Sequence, residues 1–257
     1  MLAIDIGNTR IKLALYDSES GKRLLASSFS TVRRASADEI AASIMSAFRL
    51  YGADEKVDGA IICSVVPTVT TAAATAVERH FGVHPLTVGP GVRTGLNIRV
   101  ENAASVGSDI VVGAVEAAAL FRPPLLIFNM GTATTVTAID ESGLLAGVAI
   151  MPGLIMGLDA LAENASELVP ISPGKVKSPF GRNTYDSINA GAVLGAAGAV
   201  DGYIDRAAEA FGGGITSVMT GGCAGFVTPY LRHKVEYRQY LCLDGLYRLW
   251  KANVKQG

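Results

Sequence analysis

Leu2 to Asp17 reads LAIDIGNTRIKLALYD, and Ile127 to Asp140 reads IFNMGTATTVTAID. In each, a short β-rich run ends in an acid or an amide. An x-Gly step and a Thr-bearing turn follow, then a second strand that closes on Asp. The first copy carries Asp5 where the second carries Asn129. Both run on into a polar turn, DSESG after the first and DESG after the second, and then into a third strand. Asp5 to Asp17 spans twelve positions and Asn129 to Asp140 eleven. A strand–turn–strand–turn–strand unit met twice at matched spacing indicates internal duplication. It divides the chain into halves at 1–120 and 121–257, each expected to fold as an α/β layer structure with a mixed sheet flanked by helices.

The rest of the chain fills in these halves. In the first, a third strand is expected near Lys22–Phe29. Ser36-x-x-Glu39 has the spacing of a helix capping box, and the helix after it sets Ile40, Ile44, Ala47 and Phe48 on one face. The unbroken apolar run Gly59–Pro67 reads as a buried strand. A helix near Val69–Phe81, a strand near Pro85–Val88 and a loop at GPGVRTGLNI come next. In the second half, LLAGVAIMPGLIMGLDALA is long and apolar, but Pro152-Gly153 breaks it and it contains Asp159. It reads as strand, turn and helix rather than a membrane span. NAGAVLGAAGAVDGYIDRAAEAF is a small-residue helix, SVMTGGCAGFV a strand, Gly-Gly turn and helix start. LDGLYRLWKANV is an amphipathic closing helix anchored by Trp250.

Composition excludes several function classes. Apolar residues make up 49% of the chain and charged residues 18%, enough for a buried core and too apolar for disorder. A net charge of −1 gives no field that favours nucleic acid or an anionic membrane. Cys63, Cys223 and Cys242 are odd in number and far apart, so they read as reduced thiols of a cytoplasmic protein, not as a disulfide framework or a zinc site. No secretory leader is expected from the opening residues. His80, His84 and His233 lack metal-ligand spacing and read as surface histidines. Arg33-Arg34 reads as solvated surface. Lys175, Lys177 and Arg182 lie in a Pro/Gly-rich loop that suits a lid or interface as well as plain solvent.

The turns carry the chemistry. A Gly- and Thr-bearing turn after a buried strand presents backbone N–H groups and a hydroxyl to phosphate oxygens. An Asp at the strand end beside it suits a divalent cation held partly through water. Two such turns could hold the phosphates of one nucleotide, with Thr220-Gly221-Gly222 as a third glycine turn that admits a base or ribose closely. There is no Walker A pattern, and GPGVRTG lacks the third glycine of G-x-G-x-x-G, which disfavours P-loop and Rossmann readings.

With DIGNTR, ICSVVP, VGPGVRTGLNIR, GTATT, PGL, GRNT and TGG in this order, the chain resembles the type III pantothenate kinases of the acetate and sugar kinase/heat-shock/actin superfamily. The resemblance runs nearly end to end. It implies two duplicated ribonuclease-H-like, actin-like ATPase halves and ATP-dependent phosphorylation of pantothenate, the first step of coenzyme A synthesis. It also implies Mg²⁺, a monovalent cation such as K⁺ or NH₄⁺, and a homodimer. By this resemblance Asp5, Gly7, Asn8 and Thr9 form the first phosphate motif, with Asp5 on Mg²⁺ and Lys12 among the nucleotide contacts. Gly131, Thr132 and Thr134 of the second turn, and Gly221 and Gly222, complete the nucleotide set. Asp109 of VGSDI corresponds to the aspartate that takes the proton of the attacking hydroxyl, flanked by Gly107 and Ser108 on the acceptor side. Thr184 of GRNT corresponds to an acceptor contact from the partner subunit.

Three positions depart from the family pattern. Ile110 stands where an arginine usually binds the acceptor carboxylate, a bidentate contact isoleucine cannot make. Val100 stands where a tyrosine usually touches the acceptor. Asn129 stands where an aspartate usually holds the monovalent cation. The departures lie on the acceptor and monovalent-cation side, while the Mg²⁺ and phosphate side is intact. They leave two other readings open: a paralogue acting on a different small hydroxyl acceptor, and a nucleotide-binding regulatory or accessory protein with little kinase activity.

Overall fold

A computed structural model describes residues 1–53, 56–101 and 106–254. The chain divides into two units. The first contains Met1–Gly95, Asn102–Glu116 and Tyr240–Gly257, and the second Leu96–Glu101 and Ala117–Gln239.

The first unit is built on β1 (Leu2–Ile6), β2 (Arg10–Tyr16), β3 (Arg23–Ser30), β4 (Ala60–Ser64) and β5 (Leu86–Thr87), in the order β3-β2-β1-β4-β5. β1, β2 and β3 form an antiparallel meander, and β4 and β5 run parallel to β1. Side chains alternate between sheet faces, so Leu2, Ile4 and Ile6 pair with Leu15, Leu13 and Ile11 on one face. That face is covered by α1 (Ala37–Tyr51) and α2 (Pro67–Phe81) through Ile40, Ile44, Phe48, Val69 and Val77. The Ser36–Glu39 capping box forms at the start of α1, with both reciprocal hydrogen bonds in place. Proline is tolerated in a first helical turn, where its missing N–H has no partner to lose. Pro67 accordingly opens α2 instead of ending the preceding strand.

On the opposite face Ala3 and Asp5 pair with Ala14 and Lys12. α7 (Leu241–Asn253) packs against β1, β2 and β4, and α3 (Ser108–Leu120) packs on α7. A Cβ at Gly245 would lie 2.5 Å from the carbonyl oxygen of Val112, which makes that approach glycine-dependent. The linear cut at 120/121 places this last helix with the second half. Its buried Leu241, Leu246 and Leu249 instead return to the first unit, where Trp250 rests on Gly59.

The second unit repeats the plan with β7 (Leu125–Met130), β8 (Ala133–Ile139), β9 (Leu144–Pro152), β10 (Thr216–Thr220) and β11 (Glu236–Tyr237). β9-β8-β7-β10-β11 matches β3-β2-β1-β4-β5 strand for strand and direction for direction, the duplication read from the two turns. Asp140 accepts hydrogen bonds from Ser142 as Asp17 does from Ser20, so even the polar turns match. The expected loop GPGVRTGLNI instead contains a short strand, β6 (Asn97–Ile98), which adds to the free edge of β9. Leu126, Phe128 and Met130 pack against α5 (Thr184–Phe211) through Val193, Ala197 and Val200. α4 (Leu154–Asn164) follows β9, and α6 (Ala224–Val227) follows β10. Among the described residues, no helix is long and apolar enough to cross a membrane.

Candidate active site

The first phosphate turn is held by the strands around it. The Gly7 N–H donates to the Arg10 carbonyl at 3.0 Å, which closes the hairpin over Asn8 and Thr9. Thr31, just past β3, donates its hydroxyl to the Gly7 carbonyl at 2.7 Å and its N–H to the Thr9 carbonyl. Sequence reasoning passed over Thr31 because only the meander brings it to the turn. Arg33 remains exposed as expected, but it also donates to the Asn8 side-chain oxygen at 3.3 Å.

Asp5 is 5% exposed on the α7 side of the sheet. Its cross-strand partner Lys12 places Nζ 3.2 Å from the carboxylate. Its parallel neighbour on β4 is Cys63. The Cys63 thiol donates to the Ser108 hydroxyl, and that hydroxyl donates to the Ser64 carbonyl. These bonds tie the first turn of α3 to the end of β4, next to Asp5. Asp109 is the next residue of α3. A Cβ on Gly107 would lie 2.6 Å from Asp109 Oδ1, so glycine leaves room for the carboxylate to fold back over the chain.

Asp5, Lys12 and Asp109 therefore form one charge cluster within the first unit. Burial, then the neighbouring negative charge of Asp5, pushes the Asp109 carboxyl above the usual carboxylate range; backbone donors and Lys12 oppose the shift. Burial works against the Lys12 ammonium, yet Asp5, with support from Cys242 and Asp109, holds its pKa above the ordinary lysine value. Burial, reinforced by Asp5, pushes the thiols of Cys63 and Cys242 up, so both stay protonated and poorly nucleophilic. All three cysteines are free and buried. Ile110 occupies the same first turn of α3, where its N–H bonds to the Gly107 carbonyl, and it brings no charge. Val100 lies in the second unit, two residues beyond β6.

The second turn is built likewise and differs at its centre. The Gly131 N–H donates to the Ala133 carbonyl at 3.2 Å, which leaves Thr132 exposed at the tip. Asn129 faces Thr135 across the hairpin, where Asp5 faces Lys12 in the first copy. Thr134 does not join the turn's polar surface. Alternation turns it to the core, where it is 3% exposed with its hydroxyl directed at the Met130 sulfur. Two glycines fit the turn closely. A Cβ on Gly221, whose φ is +103°, would lie 2.5 Å from the Met130 backbone, and one on Gly153 would overlap the carbonyls of Gly131 and Thr132. Gly153, from the PGL stretch, was not counted as a site residue, since local sequence does not show what the chain folds against. Gly222 is exposed at the end of its turn.

Thr184 is exposed at the first position of α5, whose N-cap is Asn183. The loop before it is pinned by Asn189, buried at 1% exposure, which bonds the backbone of Gly174 and Lys175. Lys177 pairs with Asp186 at 3.5 Å, while Lys175 and Arg182 are exposed. The three histidines pair with surface carboxylates: His80 with Asp38, His84 with Glu78 and His233 with Asp205.

A family model described as type III pantothenate kinase matches residues 1–206. A type III pantothenate kinase from Exiguobacterium sp. is 36% identical over 256 residues, covering 99% of this chain and 100% of the relative. Among solved structures, a protein described as a conserved Baf family transcriptional activator from Campylobacter jejuni superposes with a TM-score of 0.59 at 15% identity, covering 98% of each chain. Component A of the (R)-2-hydroxyglutaryl-CoA dehydratase of Acidaminococcus fermentans gives 0.56, also at 15% identity, covering 97% of this chain and 96% of that one. At such identities these structures speak for the fold alone, the duplicated ribonuclease-H-like fold of the actin-like ATPases and sugar kinases. The sequence match over the full chain goes further: the chain belongs to the type III pantothenate kinase family.

Proposed function

We propose that this protein transfers the γ-phosphoryl group of ATP to the hydroxyl of pantothenate, the first step of coenzyme A synthesis, in the cytoplasm. The observation that carries the reading is the charge cluster of Asp5 on β1, Lys12 on β2 and Asp109 in the first turn of α3, in a chain that belongs to this family. Asp109 accepts the proton of the attacking hydroxyl. Its pKa, raised by burial and by the neighbouring charge of Asp5, makes it a stronger base for an alcohol. The Gly7–Thr9 turn of the first unit and the Gly131–Thr132 turn of the second, each closed by its glycine N–H, are phosphate-binding turns.

Asp5 fits a Mg²⁺ ion. It is a buried carboxylate near the end of β1. The remaining ligands would be water and phosphate oxygens, as Mg²⁺ prefers. When bound, the ion neutralises charge on the phosphates. The second turn does not fit a monovalent cation as well. Asn129 is uncharged, and the Thr134 hydroxyl is turned to sulfur.

A homodimer is supported by apolar side chains exposed on the second unit, namely Ile155, Met156 and Leu161 of α4 and Phe180 of the loop before α5. In such a dimer Thr184 would meet the acceptor of the partner subunit. The test is a phosphoryl-transfer assay with ATP, Mg²⁺ and pantothenate, in which Asp109→Asn is expected to lower kcat by about 10²–10⁴-fold. A wild-type protein that binds ATP without phosphorylating millimolar pantothenate would overturn the reading.

A second reading, a different small hydroxyl acceptor, rests on the apolar Ile110 and Val100. Losing an arginine–carboxylate contact weakens acceptor binding by roughly one to two decades. Ile110→Arg with Val100→Tyr is therefore expected to lower the KM for pantothenate. An unchanged KM in the double variant removes the second reading.

A further inference from the structure

Within the first unit, α3 and α7 meet at three successive levels. At the first, the Cys242 thiol is directed at the Asp109 carbonyl at 3.9 Å. At the second, Gly245 lies so close to Val112 that a Cβ would stand 2.5 Å from its carbonyl oxygen. At the third, Arg248 Nε and Nη2 donate to the two carboxylate oxygens of Glu116 at 2.7 and 3.3 Å. At 3.6 residues per turn, Asp109, Val112 and Glu116 share one face of α3. Both series ascend together, so the two helices run side by side in the same direction. Glu116 is 5% exposed and is the one charged side chain in the buried stretch 111–117. A carboxylate held out of water is costly unless it is paired. The pair also borders an open cavity of about 500 Å³, which Tyr16, Asp244, Tyr247 and Lys251 line with it. Without Arg248, the Glu116 carboxylate has water to turn toward.

We propose that Glu116 and Arg248 are positioning residues that set where the Asp109 carboxylate stands, by fixing the tilt of α3 about its contact with Gly245. The inference rests on the phosphotransferase reading above, in which Asp109 takes the acceptor proton. The Ser108 bonds to Cys63 and Ser64 fasten the first turn of α3 at one point. A second point is needed to fix the direction of the helix axis, and the ion pair supplies it. Along the axis Asp109 lies about 4.5 Å to one side of Val112 and Glu116 about 6 Å to the other. With Val112 held against Gly245, α3 is a short lever. An outward shift of about 1 Å at Glu116 moves Asp109 by about 0.75 Å the other way. A misplacement of about 1 Å at a reacting group can cost about 10²-fold in rate.

The experiment measures ATP-dependent turnover of pantothenate in wild type, Arg248→Met, Arg248→Lys and Glu116→Gln, each alone and combined with Asp109→Asn. Amide hydrogen exchange is followed in the same proteins. Arg248→Met should lower kcat by about 10–10²-fold, while KM for ATP moves less than about threefold. Arg248→Lys keeps a cation for Glu116 and should stay within about fivefold of wild type. In the Asp109→Asn background, Arg248→Met should change the residual kcat less than about twofold, because the residue it positions no longer acts. The amides of Ile110 and Val111, both bonded to the Gly107 carbonyl, should exchange about tenfold faster in Arg248→Met, with those of α1 unchanged.

Equal losses of kcat with and without Asp109→Asn would reduce the pair to a general support of the fold and overturn the proposal. So would a kcat for Arg248→Met within about threefold of wild type. If wild type transfers no phosphoryl group to pantothenate, the functional reading fails by itself, and hydrogen exchange then decides the role of the pair. Unchanged exchange at Ile110 and Val111 in Arg248→Met overturns it, and faster exchange confined to α3 supports it. Glu116→Gln leaves no buried charge unpaired and covers the case in which Arg248→Met folds poorly. It should lose about three- to tenfold in kcat, and this loss too should vanish in the Asp109→Asn background.

Discussion

The turn after β1 and the turn after β7 have the same strand order, the same glycine closing bond and the same polar turn one strand on, yet different centres. Asp5 is buried against Lys12, whereas Asn129 faces Thr135. A buried carboxylate is costly without a cation or donors beside it. The acid survives in the copy whose second strand carries a lysine, and the amide stands where the second strand carries a hydroxyl. Duplication supplied two equivalent turns, and the charge sits in the copy whose cross-strand partner is a lysine.

Exchanging the two centres is the strongest way to break the comparison. Asp5→Asn should lower kcat by roughly 10²–10³-fold and raise the Mg²⁺ needed for half-maximal rate, because the oxygen ligand loses its charge. Asn129→Asp should leave the Mg²⁺ requirement within about threefold of wild type and introduce stimulation by K⁺. Similar losses from the two exchanges, measured as rate against each ion, would mean that the turns are functionally equivalent.

The glycines sharpen the difference in packing. Ala at Gly153 would overlap the second turn's carbonyls, while Ala at Gly7 would meet the Arg10 carbonyl at 3.2 Å, a distance a small shift relieves. Gly153→Ala should lower the thermal midpoint by about 10 °C and Gly7→Ala by a few degrees. Calorimetry of the pair would refute the contrast if the two midpoints fell together.

The smallest effect concerns Asp109. Its folded-state pKa lies above the unfolded value, so the folded state binds its proton more tightly. The group therefore costs stability above the raised pKa and nothing below the unfolded value near 4. Asp109→Asn should raise the thermal midpoint by a few degrees at pH 8, with the gain fading as the pH falls towards about 4, while activity is lost. A lower midpoint for the variant at pH 8 would show that the carboxylate stabilises its surroundings.

Much of this was legible in the residues. Alternating apolar positions, the Ser36–Glu39 box and the DSESG and DESG turns are local signals, because strand period, cap geometry and turn chemistry are set within a few residues. Asp5 and Asp109 stand out in the sequence through the family motifs, and the fold brings their charges together. Asn97–Ile98 was read as loop because two residues carry no period; only the open edge of β9 makes them a strand. Thr134 was assigned to the phosphates because a threonine beside a glycine turn suits them, but the side of the sheet it faces depends on its pairing with Met130.

By itself, the sequence determined the duplicated turn, the class of the layers and the family chemistry, since each depends on spacing along the chain. Tertiary structure alone decided that α7 returns to the first sheet, that Gly153 and Gly221 close on the second turn, and that Cys63 and Ser108 bring Asp109 to Asp5. These contacts join residues tens to hundreds of positions apart. Their energy comes from burial and close approach in three dimensions, which no short window of sequence records.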